Sequence, residues 1–303
     1  MCKTASMMMV LAVAACMAVA QDDKPWEKPG TESGQEIIGP DGGVMVWVPA
    51  GEFLMGSTDE QIAALVEEWP DELLDYARWA LGAETPQRTV YLDGFWLGKH
   101  EVTNAQYGAF CAATGREFPS ESSQADDHPV VGVSWEDALA YAEHHGLSLP
   151  TEAQWEYAGR GAEGRVYPWG DEWDPKKLCW GENKAPGGQT APVGSHPDGA
   201  SWCRALDMAG NVYEWCADWF DPDYYKAAPT TNPTGPAEAV AFSFSLRPQV
   251  LESARTERVL RGGSWNDGAP LYFRGASRSS PGHYDGPGYR VGLIGFRCAR
   301  TVQ

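Results

Sequence analysis

The second half of the chain constrains the fold most strongly, because it contains very little regular secondary structure. Residues 162–303 are rich in Gly, Pro, Trp and Asp, and hold only short strand-like pieces at 212–219, 259–262 and 294–299. A folded region of this length needs stabilisation from aromatic packing, disulfides or bound ions. The 303-residue chain contains 14 Trp, so aromatic packing is expected to supply much of it.

The first half carries clear helix signals. Three helices are predicted near 103–114, 135–145 and 152–158, each beginning with a hydroxyl residue that a polar side chain follows three positions later. This capping box satisfies backbone N–H groups that have no partner within the helix. Residues 60–81 also show helical hydrophobic spacing, which Pro70 interrupts, so an inserted pair of helices is expected there.

Strand-like segments accompany these helices. The segments are short apolar runs bounded by turn residues, at 44–49, 53–55, 89–92 and 95–98. The length of the chain and its 43% hydrophobic content are enough for one large core or two small ones, and we expect a single domain over residues 41–303. The preceding residues 21–40 are polar and contain Pro and Gly, which predicts a linker.

The first 20 residues predict a signal peptide. Lys3 is their only charge, an apolar run follows it, and residues 18–20 form an A-x-A cleavage pattern. A lipoprotein signal ending at Cys16 is the alternative, which would anchor the mature chain to a membrane. Both routes predict export, to the periplasm or the medium. No segment is long and apolar enough to predict a transmembrane span.

The charge of the chain limits which partners it can bind, and its cysteines limit which disulfides it can form. The chain has 42 acidic and 23 basic side chains, a formal net charge of −19, so no nucleic-acid partner is expected, because phosphates would be repelled. Five cysteines follow the leader, at positions 111, 179, 203, 216 and 298. Export permits disulfides, and both a Cys203–Cys216 bridge and buried free thiols remain open interpretations.

Seven motifs follow one another in a fixed order along the chain. They are GFWLGKHEVTN (94–104), VGVSWEDA (131–138), LPTEAQWEYA (149–158), PWG (168–170), DMAGNVYEW (207–215), RGGSW (261–265) and GFR (295–297). Together they resemble the formylglycine-generating enzyme (sulfatase-modifying factor) family over residues 41–300. The resemblance implies a C-type-lectin-like α+β fold with sparse secondary structure. It also implies an oxygen-dependent oxidoreductase that converts a cysteine of a sulfatase to formylglycine.

The same resemblance implies two copper-binding cysteines, at the third and eighth positions after the GGS serine. Counting from Ser264 gives Asp267 and Tyr272, and no Cys lies between Cys216 and Cys298. Thiolates suit Cu(I), so without them neither copper nor sulfatase maturation is expected. Ser264, Asp267 and Tyr272 remain a candidate polar pocket.

Iron is another metal whose preferred ligands occur in and near this pocket. Asp267, Tyr272 and the nearby His283 offer hard or intermediate ligands that suit iron. No two-His-one-carboxylate pattern supports iron, so a pocket without metal is the favoured interpretation.

The DMAGNVYEW motif predicts a calcium site. Calcium takes carboxylate and carbonyl oxygens, and Gly210 allows the chain to curl around an ion. The resemblance implies Asp207, Gly210, Val212 and Glu214 as ligands. It would place a second calcium near Asn183, but the loop 184–189 carries no acid, so that site is not expected.

Two other signals are interpreted as structural. Glu152 and Glu156 lie one helical turn apart, like paired catalytic carboxylates, but an acid early in a helix is favoured by the helix dipole. Several tryptophans could form a sugar-stacking platform, but core packing explains most of them more simply; they are Trp135, Trp155, Trp169, Trp215 and Trp265.

Two functions follow from these observations. The first is an exported oxidoreductase-like protein acting on a substrate other than a sulfatase. The alternative is a non-catalytic module that binds a protein, peptide or small-molecule ligand. The segment 279–290 favours binding, because it is rich in the Ser, Gly, Tyr and Asp typical of adaptable binding loops.

Overall fold

A computed structural model describes residues 24–122, 125–184, 189–240, 257–279 and 288–302. Within these ranges it contains nine short strands and five α-helices, none longer than 11 residues. The predicted α+β class with sparse secondary structure is therefore confirmed. No helix in the described ranges is long and apolar enough to cross a membrane.

The strands form three small sheets. The first is antiparallel, in the order β1 (Glu36–Ile38), β2 (Val44–Val48), β5 (Phe95–Gly98) and β9 (Ala299–Thr301). The second pairs β3 (Gly51–Met55) with β4 (Arg88–Leu92). In the third, β6 (Tyr213–Trp219) lies between antiparallel β7 (Arg258–Arg261) and parallel β8 (Ile294–Gly295).

The sheet pairing modifies two expectations from the sequence. Residues 36–38, within the predicted linker, form the edge strand β1 and pair with 44–46, so this part of the linker belongs to the folded domain. The single strand-like piece 294–299 divides into β8 and β9, which belong to different sheets. Residues 296–298 connect the two strands, and Arg297 among them is fully buried.

The helices follow the predicted capping signals closely. They are α1 (Asp59–Glu67), α2 (Leu74–Gly82), α3 (Asn104–Thr114), α4 (Trp135–His144) and α5 (Glu152–Arg160). Both halves of the capping box form at Thr103, Ser134 and Thr151. Helix α5 is two residues longer than predicted, because its last residue, Arg160, is held by a buried ion pair to Glu156.

The expected helical pair is α1 and α2. The two helices pack on each other through a small separate apolar cluster that includes Ile62, Val66, Ala77 and Leu81. Their base is fixed to the rest of the domain through Glu84, which accepts a hydrogen bond from Ser57 Oγ at 2.7 Å and two from Arg274.

Aromatic residues supply much of the core. Trp155 and Trp215 are fully buried, which confirms their predicted role in packing. Trp135, Trp169 and Trp265 are only partly buried. A separate aromatic cluster joins the PWG motif to Phe273, with Trp169 stacked on Tyr167 at a ring distance of 5.3 Å.

All five cysteines of the domain are buried free thiols. The Cys203–Cys216 bridge is therefore not formed, and the alternative of separate core thiols is the one observed. Cys203 and Cys216 lie in one apolar cluster, whereas Cys111 and Cys298 lie in another.

Candidate functional site

The GGS motif forms a tight turn directly after β7. Gly262 and Gly263 both have positive φ angles, 94° and 74°, which the following turn requires. A Cβ atom on Gly263 would lie 2.7 Å from the Phe273 ring, so a side chain there would displace the aromatic cluster. The turn delivers Ser264 into the interior, where it is fully buried.

Asp267 closes this turn by binding Ser264. Its Oδ2 atom accepts hydrogen bonds from the Ser264 N–H and from Ser264 Oγ, both at 2.8 Å. Burial raises the pKa of Asp267, while hydrogen bonds from Ser264 and Tyr213 oppose that rise. The structure thus brings Ser264 and Asp267 into direct contact, as a polar pair in a mostly buried setting.

Tyr272 lies on the next turn, the single-turn helix Pro270–Phe273. It is half-buried, and its N–H group donates to the Ala269 carbonyl at 3.3 Å. The turn is anchored on its far side by Arg274, which binds both oxygens of Glu84 at 2.9 and 2.7 Å. The base of the inserted helical pair and the segment that carries Tyr272 are therefore joined by a buried ion pair.

The cysteines of the core do not supply reactive thiolates to this turn. Cys216 and Cys298 are both buried, and burial raises the pKa of each thiol well above its usual value. A thiolate, not a thiol, is the form that binds copper. His283 and residues 280–287 of the proposed binding loop lie outside the described residues.

The 207–214 loop is curled, as the glycine at its centre predicts. Asp207, Gly210 and Asn211 have φ angles of 55°, 77° and 60°. A Cβ atom on Gly210 would lie 2.3 Å from the Cys179 carbonyl oxygen, so only glycine fits there. The loop is tied to its surroundings by Asn211, whose side chain accepts from Ala191 N and donates to Glu101 Oε1.

The Glu214 carboxylate is already bound by side chains of the protein. Arg297 Nε lies 2.6 Å from Oε2 and Arg297 Nη2 lies 2.7 Å from Oε1, in a bidentate pair. Trp155 Nε1 also donates to Oε2, at 2.9 Å. All three side chains are fully buried.

Asp207 lies beside a second buried acid, Glu101. Asp207 Oδ2 accepts a hydrogen bond from Gly194 N at 2.6 Å. Burial raises the pKa of Asp207 to about 6, and burial together with the Asp207 charge raises that of Glu101 well above its usual value. A side-chain hydrogen bond joins the Asp207 and Glu101 carboxyl groups, which requires that one of them holds a proton.

No three His, Cys, Asp or Glu side chains come together as a metal-ligand group within the described ranges. Asn183, the position of the implied second calcium site, instead closes its own loop. Its Oδ1 accepts from Trp180 N, and its Nδ2 donates to the carbonyls of Pro175 and Leu178.

Glu152 and Glu156 belong to a buried ionic network. Glu156 binds Arg160 at 2.6 Å and Arg261 at 2.7 Å, and Glu152 binds Arg278 at 2.7 Å. Both carboxylates are therefore held by buried arginines in fixed ion pairs. The arginine partners were not foreseen, although buried acids require such partners.

A family model described as the sulfatase-modifying factor enzyme 1-like domain matches residues 38–302. The chain belongs to this family. The formylglycine-generating enzyme of Streptomyces coelicolor is 35% identical, in an alignment that covers 94% of this chain and 95% of that protein. Both findings confirm the resemblance that the seven motifs indicate.

Solved structures support the same fold. PvdO from Pseudomonas aeruginosa has a TM-score of 0.67 at 24% identity, covering 90% of this chain and 100% of that one. Treponema denticola variable protein 1 has a TM-score of 0.61 at 22% identity, covering 86% and 95%. At these identities the similarity shows that the folds are alike. It does not show that the functions are alike, so function has to be argued from the residues of the site.

Proposed function

We propose that this family member is exported and binds a protein, peptide or small-molecule ligand beside Ser264, Asp267 and Tyr272, without converting cysteine to formylglycine. The Asp267 carboxylate carries the proposal. It stands where the resemblance implies the first copper-binding thiolate, and it accepts two 2.8 Å hydrogen bonds from Ser264. A carboxylate is a hard ligand, which is poorly suited to Cu(I).

Oxidation of another substrate is the second candidate function. The 35% identity to a formylglycine-generating enzyme over 94% of the chain favours it. In that case a donor set other than a cysteine pair would hold the metal that activates dioxygen. Export rests on the leader, whose apolar run and A-x-A pattern are typical of a cleaved signal peptide.

We expect no formylglycine when the mature protein is incubated in air with a peptide that carries a sulfatase motif, with or without added copper. The reason is that no thiolate pair is available to bind Cu(I) at this turn. Mass spectrometry of the peptide measures the result, and the Streptomyces coelicolor enzyme serves as the positive control. Loss of sulfur with gain of an aldehyde would overturn the proposal.

Dioxygen uptake and metal analysis of the same preparation separate the two candidates. A stoichiometric transition metal, together with oxygen consumption, would favour oxidation of another substrate. A metal-free protein that consumes no oxygen but binds ligand would favour the binding module.

We also propose a structural calcium ion at the 207–214 loop, where the resemblance implies Asp207, Gly210, Val212 and Glu214 as ligands. The close buried pair of acids, Asp207 and Glu101, supports a cation there, because a bound ion would let both carboxylates ionise where burial otherwise opposes it. Glu214 fits less well, since Arg297 and Trp155 already bind its oxygens. Asp207 and Glu101 are therefore the acids that would respond most directly to calcium.

Chelation is expected to lower the melting temperature of the wild type, and added calcium to restore it. An ion present at 100 times its dissociation constant stabilises the folded state by about 2.7 kcal/mol. The Asp207→Ala variant should lose this response, whereas Glu163→Ala, which removes an exposed acid, should keep it. If chelator leaves the wild type unchanged in differential scanning calorimetry, the calcium proposal is wrong.

A further inference from the structure

A cleft of about 500 Å³ lies between the end of α3 and the first turn of α4. Its lining includes Tyr107, Arg116, Phe118, Glu121, Asp137 and Arg290. It is distinct from the Ser264 turn, and none of the motif residues assigned to metal or catalysis lines it. We propose that this cleft is a binding site for a carboxylate carried on an apolar group.

Two guanidinium groups converge on the cleft. Arg290 Nη2 lies 2.5 Å from Asp137 Oδ2, and Arg116 Nη1 lies 3.6 Å from Asp137 Oδ1. The shorter contact is a charge-assisted hydrogen bond, whereas 3.6 Å exceeds hydrogen-bond distance. Asp137 also accepts from Ser134 N as part of the helix cap, so its place at the floor of the cleft is fixed.

Arg116 therefore has donors to offer a ligand. A guanidinium carries five N–H donors in a planar fork, and that fork matches the two oxygens of a carboxylate. The side chains of Arg116 and Arg290 are 46% and 53% exposed, so a ligand can reach both. The Arg116 guanidinium is held over the Phe110 ring at 5.6 Å, which limits its freedom before a ligand arrives.

The charge balance of the cleft disfavours a doubly charged anion more than a singly charged one. Three acids, Glu117, Glu121 and Asp137, line it against the two arginines, so the lining carries one excess negative charge. A phosphate group carries more negative charge than a carboxylate, and the acidic walls would repel it more strongly. A single carboxylate can take the free fork of Arg116 at a smaller electrostatic cost.

An aromatic surface at the cleft would bind the apolar part of the ligand. Phe118 is 40% exposed, one of few large hydrophobic side chains that face solvent in the described ranges. Its ring packs edge-on against Tyr107 at 6.3 Å, so it presents a supported aromatic face. Covering such a face removes apolar area from water and favours an apolar or aromatic group next to the carboxylate.

Two ligand sources share this chemistry: a free aromatic acid, and the C-terminal carboxylate of a peptide that ends in an apolar residue. Isothermal titration of the mature protein with N-acetylphenylalanine tests the first, and a tripeptide ending in Phe tests the second. Each is compared with its C-terminal amide, which keeps the apolar group and removes the charge. We expect both acids to bind, the preferred source more tightly, and the amides to bind about tenfold more weakly or not at all.

Variants of the cleft complete the test. Arg116→Gln should weaken binding of the acid about tenfold, the effect of losing one charge-assisted hydrogen bond. Arg78→Gln, which changes an exposed arginine on α2, should bind like the wild type. Arg116 makes only a part-exposed ion pair to Asp137 and a cation–π contact with Phe110, so thermal stability should change little. Equal binding of acid and amide, or full affinity in Arg116→Gln, would refute the site.

Discussion

Substitution of Arg297 by Ala is expected to lower the free energy of unfolding by about 3–5 kcal/mol, the usual effect of breaking a buried ion pair by removing one partner. Arg297 binds both oxygens of Glu214 at 2.6 and 2.7 Å, and both residues are fully buried. The variant also removes donors from the carbonyls of Gly98 and Leu206, which link the first sheet to the 207–214 loop. Urea unfolding followed by tryptophan fluorescence measures the loss.

Two comparisons show whether the unpaired carboxylate causes the effect. Arg297→Met combined with Glu214→Gln removes both charges of the pair, and should recover part of the stability, because neither residue then leaves an unpaired buried charge. Lys226→Ala removes the exposed pair to Asp223 and should change little. If Arg297→Ala were as stable as the wild type in calcium but not in chelator, the ion rather than the arginine would compensate Glu214.

Local signals in the sequence predicted much of the fold. The capping boxes at Thr103, Ser134 and Thr151 depend only on residues three positions apart, so sequence alone identifies where these helices begin. The helical pair is likewise encoded locally, by hydrophobic spacing and by Pro70. The curl of the 207–214 loop followed from Gly210, whose left-handed φ angle few other residues tolerate.

Long-range partners were the part that the sequence could not supply. Glu84 and Arg274 are 190 positions apart, and Glu152 and Arg278 are 126 apart, so no local pattern connects them. Even the Glu214–Arg297 pair spans 83 positions, although both residues stand in recognised motifs. A chain with few basic residues and several buried acids could have suggested such pairs, but not which arginine meets which acid.

The candidate pocket likewise combines a local contact, which the sequence could predict, with a long-range contact, which it could not. The contact between Asp267 and Ser264 spans three positions, a common local pattern in which an Asp side chain binds nearby backbone and hydroxyl groups. The link from Arg274 to the inserted helical pair is a tertiary contact, and it ties the Tyr272 segment to the part of the chain that departs most from the family pattern. The sequence could therefore predict the polar turn, but not the Glu84–Arg274 ion pair that anchors the adjoining segment.

Installing Cys at both 267 and 272 is expected to raise affinity for Cu(I) by about 10²–10⁴-fold over either single variant, the range gained when two weak binding events occur on one scaffold. Soft thiolates suit Cu(I), and the native carboxylate and phenol do not. Asp267 and Tyr272 lie on one short stretch, five positions apart. The Glu84–Arg274 pair that anchors the far end of this stretch is retained in the double variant.

Competition with a chromophoric Cu(I) chelator measures this affinity, with Asp267→Cys and Tyr272→Cys as the single-thiol controls. Asp267→Ser with Tyr272→Ser provides a match in side-chain size without sulfur, and should bind no more copper than the wild type. Circular dichroism of each variant shows whether loss of the Asp267 hydrogen bonds has unfolded the turn. If the folded double-Cys variant bound Cu(I) no better than either single variant, these two positions would not be the ones that the resemblance implies. A steep rise without turnover would show that the ligand groove, rather than the metal turn alone, separates this protein from a sulfatase-modifying enzyme.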